Sequence, residues 1–401
     1  MAAPQGVRTL IEIHQVVHGY RAGHRLLAAS CELEPAVGRT MTIASDLSGN
    51  GQVEGFDEYL TGYPLSQEGL YVLARTWEAT EMPRPGCVWT HSLLIRAVDL
   101  ARIENLVDLL DLFRRPDDSE PGQSLHVIPF HPVRDPRCIV NDNAVLLALL
   151  RGLYCAPNSC VVVPSQDAAA MERPVIALWQ QQWPRLRREF VFSTGSLADR
   201  SQTMGVPFDL QVVPAQRLQR ISRGAERNRA VTVGEDENNS DDLLMFLAEE
   251  TRRPCPEFRE FLRDVGADVE DCRAATMPLT RVYAMLREDD SLGDILDEVN
   301  ANFANENAAL LRASLLGPQP DATRVAQRIS ELARLRFLAA EASRKEFTAT
   351  TDSLVSRART LQRADTDKAR ELMTHLLRAR LNSRSRALLS GFASAWDLDD
   401  I

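Results

Sequence analysis

Apolar positions along the first third of the chain predict strands followed by a single helix. Residues 8–136 open with strand-like segments around a tight turn. They end in a predicted helix with Asp99 as its N-cap and Arg114 to Pro116 at its close. The apolar residues that recur at helical spacing in it are Ile103, Leu106, Val107, Leu110 and Phe113. We therefore predict a β-rich domain with a C-terminal helix.

A different pattern follows over residues 137–233, where β-rich runs alternate with helical ones. A short helix with Asn141 as its N-cap opens the region, and a second helix is predicted over Val175 to Gln182. The β-rich runs are bounded by Pro, Gly or Ser and cover residues 160–163, 190–192 and 208–213. Because alternating strands and helices are typical of an α/β layer, we expect an α/β middle domain.

Residues 234–240 are acidic and polar without one apolar side chain, which predicts a linker. Ser240 or Asp241 is the predicted N-cap of the next helix, and helical spacing then continues almost to the end. One example is the series Val325, Ile329, Leu332 and Leu335. Residues 241–401 are thus a predicted all-α region, built as a bundle or a short helical array. The expected fold class is α+β or α/β over the first two-thirds, followed by this all-α C-terminal region.

Composition fits a soluble globular protein of two or three domains. The chain has 401 residues, of which 44% are hydrophobic and 25% are charged. The N-terminus lacks the features of a targeting signal, and no segment approaches the roughly 20 apolar residues of a membrane helix. We therefore expect a cytoplasmic protein with no membrane partner. The net charge of -10 disfavours nucleic acid as the main partner, since such binding needs a basic surface.

Seven scattered cysteines in a large chain of this kind predict reduced thiols instead of disulfides. Only Cys155 and Cys160 lie close together, and their spacing is too loose for a redox CxxC motif. No second Cys or His pair follows nearby to complete a zinc site. We interpret both as small core residues and predict no metal.

The sequence contains no recognisable nucleotide-hydrolysing motif. A P-loop needs a lysine that reaches the phosphates, and neither of the chain's two lysines, Lys345 and Lys368, follows a glycine. There is also no GxGxxG after a strand, no HExxH and no GxSxG, which Ser193 to Ser196 resembles only superficially. The chain is therefore predicted to be neither a P-loop NTPase nor a recognisable hydrolase, and we expect no cofactor.

Three of the seven histidines fall within eleven residues, at His14, His18 and His24. Glycines and β-branched residues among them favour a hairpin over a helix, with a two-residue turn at Ala22–Gly23. In that register His14, His18 and Tyr20 share one face of the hairpin, and His24 points to the other. At ~3.3 Å per residue, His14 and His18 are ~13 Å apart and cannot bind one ion jointly.

Other polar residues could join these histidines. Asp46 lies in the segment from Ser45 to Gly49, which is either a turn or an anion-binding loop, and His91 follows a proline-stiffened loop. A metal site would need His91 or Asp46 to fold in. The alternatives are histidines that brace the hairpin, or a polar recognition or catalytic surface. The candidate catalytic residues are His18, His24, Asp46 and His91.

Arg84 is presented between Pro83 and Pro85, whose rings stiffen the loop. It could stabilise charge on a partner's nucleotide, or it could be an exposed arginine in a rigid loop without such a role. Together with Tyr20 and Trp89, it is a candidate partner-binding residue.

Several strings in the first region are specific enough to suggest a family. They are HQxxHGYxxGHxLL at residues 14–27, SDLS at 45–48, YxxGYP at 59–64 and MPRPGxxWTH at 82–91. This set resembles the type-one N-terminal domain of the bacterial GTPase-associated protein family. The runs FVFST at 190–194 and PFDLQVVP at 207–214 are similar to that family's middle domain. The resemblance covers about residues 9 to 235.

The resemblance implies an accessory protein encoded beside GTPases in bacterial conflict or antiviral defence systems. It transfers no catalytic residue. We therefore predict a non-catalytic adaptor or regulatory subunit that binds a separately encoded GTPase and other proteins of the same gene neighbourhood. The helical C-terminal region would add a docking surface. The alternative is an effector enzyme, a hydrolase or nuclease, that uses the His/Asp cluster of the N-terminal domain.

Overall fold

A computed structural model of the chain describes most residues as far as Leu316. The described ranges are 10–49, 51–82, 84–116, 125–133, 140, 142–224, 228–231, 241–288, 292–303 and 307–316. They divide into two compact units, one ending at Arg259 and one beginning at Glu260. The predicted linker over 234–240 and the series Val325 to Leu335 lie outside the described residues.

One large mixed sheet dominates the first unit. Its strands are β1 (Ile11–Tyr20), β2 (His24–Ala29), β3 (Glu58–Leu65), β4 (Leu70–Glu78), β5 (Val88–Arg96), β6 (Ile128–Phe130), β7 (Cys160–Ser165), β8 (Phe192–Ser193), β9 (Leu210–Pro214) and β10 (Asn228–Ala230). The order across the sheet is β10-β7-β9-β8-β3-β4-β5-β1-β2, and β6 also pairs with β1. The four strands from β10 to β8 are parallel, whereas β3 pairs antiparallel with β8 and the rest of the sheet is antiparallel.

Helices cover both faces of the sheet and make up most of the rest of the described chain. They are α1 (Pro35–Ser45), α2 (Ala97–Leu100), α3 (Asn143–Cys155), α4 (Ala169–Gln181), α5 (Pro184–Glu189), α6 (Arg200–Met204), α7 (Leu218–Gly224), α8 (Asp242–Arg252), α9 (Pro256–Val265), α10 (Cys272–Arg287), α11 (Leu292–Asn302) and α12 (Ala309–Leu316). None of the described helices has both the length and the apolar character needed to cross a membrane.

The two faces of the sheet pack against different helices. On the first face Val16, Val72 and Leu94 pack with Val37 and Met41 of α1 in one apolar cluster. On the second face the indole of Trp179 in α4 stacks on Tyr71, with ring centroids 4.8 Å apart. Burial of apolar surface on both sides accounts for the long apolar runs in the central strands.

The mixed fold predicted for the first two-thirds of the chain is confirmed at this level. The predicted helix over Val175 to Gln182 falls on the second half of α4, which ends one residue earlier at Gln181. Asp241 caps α8 by accepting a hydrogen bond from Leu243 N at 2.9 Å. Asp142 caps α3, whereas the predicted cap, Asn141, lies outside the described residues. Strands of both predicted domains share the one sheet, and the domain boundaries remain predictions.

The predicted helix starting at Asp99 is wrong. Asp99 lies inside the short α2, buried, where its carboxylate accepts hydrogen bonds from Arg96 and Arg102. A separate 3-10 helix follows over Leu106–Leu112. Successive apolar residues in this segment are mostly three positions apart, which matches the three residues per turn of a 3-10 helix better than the period of an α-helix.

The predicted strand over 190–192 is also largely wrong, because only Phe192 and Ser193 pair as a strand. Val191 N instead donates to the carboxylate of Asp209 at 2.8 Å, and Asp209 N donates back to Val191 O. A side chain thus takes the place of the strand partner at this position.

The second unit is helical wherever it is described. Leu279 and Val282 of α10, Ile295 and Val299 of α11 and Leu311 of α12 are buried. Apolar positions at helical spacing therefore supply its core.

Replacing Gly62 by alanine should weaken the junction between β3 and β8. A Cβ at this position would overlap Phe192 and lie 2.5 Å from the Tyr71 hydroxyl, so we expect Gly62→Ala to lose about 1–3 kcal/mol in free energy of unfolding. Urea unfolding of the full chain measures it. Gly38→Ala is the matched control, because no atom lies near a Cβ on that glycine of α1 and alanine should stabilise the helix by up to about 1 kcal/mol. A Gly62→Ala protein as stable as wild type would contradict the packing described.

Candidate functional site

Sheet topology brings the loops that carry the specific sequence strings to one edge of the sheet. The carboxyl ends of β1, β4 and the four parallel strands lie there with the amino ends of β2, β3 and β5. We call this edge the loop edge and define it by the described residues 20–24, 46–49, 51–57, 78–82, 84–88, 165–168, 194–199 and 214–217. In α/β proteins, ligands bind most often at the carboxyl ends of the parallel strands.

The segment from Asp46 to Asp57 ties the loop edge together. Ser48 Oγ donates to Gly195 O at 2.7 Å and accepts from Leu197 N at 3.1 Å. Further along, Ala168 N donates to Gly55 O at 2.8 Å. The segment therefore lies across the carboxyl ends of β7 and β8 and is held there by the Ser48 hydroxyl and by a backbone hydrogen bond.

The turn of the histidine hairpin differs from the prediction. Its three residues are Arg21, Ala22 and Gly23, so that Tyr20 pairs with His24 and His18 with Leu26. Ala22 and Gly23 have φ values of 55° and 121°, and Arg21 N donates to Gly23 O. The predicted two-residue turn is wrong, since a third residue in the turn shifts the register by one.

This register places His18 and His24 on the same face of the sheet, so the prediction that His24 points away is also wrong. The two imidazole rings stack with their centroids 6.1 Å apart and their planes 16° from parallel. Direct cross-strand partners project to the same face, and His24 is the partner of Tyr20. Two of the candidate catalytic histidines are therefore neighbours.

His24 joins the histidine pair to the end of α1. Its Nε2 is 2.8 Å from Ser45 Oγ, and its Nδ1 is 3.9 Å from Asp46 Oδ1. The Ser45 hydroxyl itself donates to Thr42 O at 3.0 Å, so the Nε2–H of His24 is the donor to Ser45. Burial lowers the pKa of His24, and the carboxylate of Asp46 opposes this by raising it. His24, Ser45 and Asp46 thus form one connected group.

His18 lies deeper than His24 and makes no polar contact. Its side chain is 0% exposed, and neither ring nitrogen has a hydrogen-bond partner among the described residues. Burial, followed by the charge of nearby His24, lowers the pKa of His18 to about 3. An imidazole in this state is neutral at physiological pH.

His91 belongs to the opposite face and does not join the group. Its Nδ1 accepts a hydrogen bond from Arg114 N at 3.0 Å, and its Nε2 lies 2.9 Å from Gln15 Oε1. Because both ring nitrogens are engaged, the ring is held as a neutral core histidine packed edge-on against Phe113. Burial lowers the pKa of His91 to about 4, and Arg114 adds to that shift.

Two threonines that sequence reasoning missed extend the polar group across the sheet. Thr90 pairs in register with both His18 and Thr76, and the two threonine hydroxyls are 2.9 Å apart. Thr90 Oγ1 also lies 2.7 Å from Ser45 O. The signal was present in β5, where the side of the strand that faces α1 carries Thr90 and Ser92 instead of large apolar residues.

The three candidate partner-binding residues lie at very different depths. Trp89 is 1% exposed and donates from its indole to Glu81 at 2.6 Å. Tyr20 is partly buried and packs against the small cluster that contains Trp89. Only Arg84 is exposed. Trp89 therefore supports the loop from inside, and Arg84 is the side chain available at the surface.

An ion pair that the sequence did not reveal fixes the loop after β4. Arg115 Nη2 donates to both carboxylate oxygens of Glu81, at 2.9 and 2.8 Å, and to Glu78 O at 3.0 Å. Mainly through the hydrogen bond from Arg115, the pKa of Glu81 is lowered to about 2. The loop that presents Arg84 is thus anchored at its base.

No group of three His, Cys, Asp or Glu side chains within the described ranges is arranged to hold a metal ion. The free thiols among these residues include exposed Cys155 and buried Cys160.

A known family model matches the part of the chain that contains the histidine hairpin and the Arg84 loop. Residues 12–113 match the model of GTPase-associated protein 1, N-terminal domain type 1. The N-terminal part of the chain is therefore similar to a GTPase-associated protein 1 N-terminal domain. This domain holds strands β1 to β5, His18, His24 and Asp46, and the loop with Arg84. No curated protein matches the chain. The similarity of the following residues to the family's middle domain remains a prediction.

The buried histidines of this domain predict a loss of stability in acid. Their folded pKa values, about 3 for His18 and about 4 for His91, lie below the value of 6.5 in the unfolded chain. The unfolded state therefore binds protons first as the pH falls below about 6.5, and the stability contributed by each neutral histidine is lost from there downward. At pH 5 this amounts to about 2 kcal/mol for each buried histidine.

Urea unfolding of wild type and His18→Leu at several pH values measures this loss. We expect His18→Leu to gain about 2 kcal/mol relative to wild type between pH 7.5 and pH 5. Comparing the two proteins is necessary because burial raises the pKa of Glu172 to about 7, which has the opposite sign and acts in both. A difference between the two proteins that stays constant with pH would contradict the account.

Proposed function

We propose that this chain is a non-catalytic adaptor or regulatory subunit that acts with a separately encoded GTPase in a bacterial conflict or antiviral defence system. The observation that carries the proposal is the GTPase-associated protein 1 N-terminal domain over residues 12–113. Its partners would be that GTPase and other proteins of the same gene neighbourhood, in the cytoplasm. Neither a membrane nor nucleic acid is part of the proposal.

The distribution of polar residues supports an accessory role over a catalytic one. The four candidate catalytic residues do not converge, because His91 lies on the opposite face of the sheet from His18. Both of these histidines are buried and neutral. The sequence also lacks a P-loop lysine, so the partner would supply the phosphate-binding site. His18 and His91 are therefore better explained as parts of the framework that shapes the loop edge.

The loop edge is the surface that we propose for the partner. It gathers exposed Arg21, Arg84 and Asp46 from three different loops of the domain. Arg84 forms no ion pair with a described residue, and its loop is anchored by the contact between Glu81 and Arg115. A guanidinium that is unpaired and rigidly presented is suited to carboxylates or phosphates on another protein.

Arg84→Ala should weaken the complex with the GTPase encoded beside this chain. We expect wild type to bind with an affinity that differs between the GDP state and the GTP-analogue state. The substitution should reduce the tighter affinity about tenfold, because it removes a charge-assisted contact. Biolayer interferometry with both nucleotides measures the effect, and exposed Arg39 on α1 supplies the matched control Arg39→Ala. The absence of association in either nucleotide state would reject the proposed function.

One observation favours an effector enzyme as the second candidate. The contact between His24 Nε2 and Ser45 Oγ, together with Asp46 on the other side of the ring, places a hydroxyl, an imidazole and a carboxylate in sequence. Against it, Ser45 is 2% exposed and its hydroxyl donates to Thr42 O. The Asp46 contact of 3.9 Å is also too long for a hydrogen bond.

A fluorophosphonate probe separates the two candidates. An activated Ser45 would attack the probe's phosphorus and expel fluoride, leaving a covalent adduct that mass spectrometry locates. The adaptor proposal predicts no labelling of Ser45 in the wild-type chain at neutral pH. Labelling that disappears in both Ser45→Ala and His24→Gln would instead establish Ser45 as a nucleophile. The effector enzyme would then be better supported than the non-catalytic adaptor.

A further inference from the structure

Two carboxylates share one arginine next to the loop edge, on the face of the sheet that packs against α4. Arg75 of β4 donates from Nη1 to Glu58 of β3 and from Nη2 to Oε2 of Glu172 in α4, the second at 2.8 Å. The ring of Phe113 lies against the guanidinium, whose carbon is 5.4 Å from the ring centroid. Three elements are therefore joined around a single positive charge.

Glu172 is the buried carboxylate of this group. It is 7% exposed, and its Oε1 has no hydrogen-bond partner among the described residues. Glu58 differs, because its side chain is 37% exposed and is open to water. An ionised carboxylate with an unpaired oxygen in the interior is costly, whereas a protonated carboxyl still has an oxygen that accepts from Arg75. The surroundings of Glu172 thus favour a proton on it.

The charges that face Glu172 act in the same direction. They are Arg75 from β4, Glu58 from β3 and Asp167 from the loop before α4. The 3-10 helix, α3 and α8 also pack against α4, but their described residues set no further charge against Glu172. Burial raises the pKa of Glu172 to about 7, and the repulsion from Glu58 and Asp167 outlasts what Arg75 offsets.

Glu172 also lies close to the contact that fixes the segment from Asp46 to Asp57. It belongs to the first turn of α4 and follows Ala168, whose N donates to Gly55 O at 2.8 Å. The two backbones touch at this point, because a Cβ on Gly55 would lie 2.3 Å from Gln166 O. A shift of the first turn of α4 therefore displaces the residues that hold this segment.

We propose that Glu172 is a proton-controlled latch of the loop edge. When protonated, it holds the first turn of α4 against Arg75. When its proton passes to water, the ionised carboxylate moves outward to solvent and away from Glu58, and this releases the turn together with the segment from Asp46 to Asp57. The latch does not depend on the proposed function, because it concerns only how firmly the loop edge is held.

Proton binding gives the sign of the effect. The closed form takes up the proton with a pKa of about 7, whereas a carboxyl opened to water has its ordinary value of 4.5. Opening therefore becomes more favourable as the pH rises from 4.5 to about 7, and it levels off above that. Between pH 6 and pH 8 the equilibrium constant for opening should increase about tenfold.

Hydrogen–deuterium exchange of the full chain at pH 6 and pH 8, corrected for the intrinsic exchange rate, tests the latch. We expect residues 166–173 and 51–57 of wild type to exchange about tenfold faster at pH 8. Glu172→Gln has the shape of a neutral carboxyl but cannot ionise, so both segments should lack this increase. Glu68→Gln is the matched control and should behave as wild type, since Glu68 is exposed in the turn between β3 and β4 at the opposite edge of the sheet.

Glu58→Gln is a second test that leaves Glu172 in place. It gives Arg75 to Glu172 alone, so the pKa of Glu172 should fall and the increase in exchange should shrink. An increase of equal size in wild type, Glu172→Gln and Glu58→Gln would overturn the proposal, as would no increase in wild type. An equal increase throughout the first unit would also overturn it, because that result reports global unfolding instead of a local opening.

Discussion

The antiparallel pairing of β3 with β8 is the contact on which the arrangement of the first unit depends. It joins four parallel strands to the antiparallel strands of the region that matches the GTPase-associated protein 1 N-terminal domain. Thr194 strengthens it, since its N donates to Leu60 O at 2.9 Å and its hydroxyl accepts from Leu60 N at 2.8 Å. The junction requires a glycine at Gly62, where Phe192 and Tyr71 occupy the space of a side chain. Because of this pairing, loops from both halves of the sheet end at one edge.

The same sheet separates the polar residues into two environments. On the face toward α1, His24 and Thr90 both contact Ser45, and His18 stacks on His24 without a hydrogen bond of its own among the described residues. We call these side chains the layer below Ser45. On the opposite face His91 is fully hydrogen-bonded within the core. Buried polar side chains that lack some of their hydrogen bonds reduce the stability of the fold, whereas those that are hydrogen-bonded make the local structure more rigid. We interpret the layer below Ser45 as the support that holds the segment from Asp46 to Asp57 across the loop edge.

Sequence patterns predicted the mixed fold and part of helix α4, because these depend on the local spacing of apolar residues. They also predicted the N-cap of α8, because a cap depends on a single side chain. They failed where the outcome depended on a single residue of register. The turn contains Arg21 in addition to the predicted Ala22 and Gly23, and this extra residue places His24 on the same face as His18. It therefore changes which candidate residues are neighbours. The ion pairs of Glu81 with Arg115 and of Glu172 with Arg75 join segments far apart in the chain. Hydrophobic periodicity carries no information about such long-range contacts. The family resemblance did not depend on periodicity, because it rested on the specific strings of the N-terminal region, and the family model confirms it.

The central claim is that the loop edge is the surface through which this chain engages a GTPase. Hydrogen–deuterium exchange of the chain, alone and with the GTPase in its GTP-analogue state, tests it most directly. The account predicts new protection in residues 20–24, 46–57 and 78–88, with little change in the turn around Glu68 at the opposite edge. Protection confined to that opposite edge or to the second unit, with the loop edge exchanging as in the free chain, would contradict it.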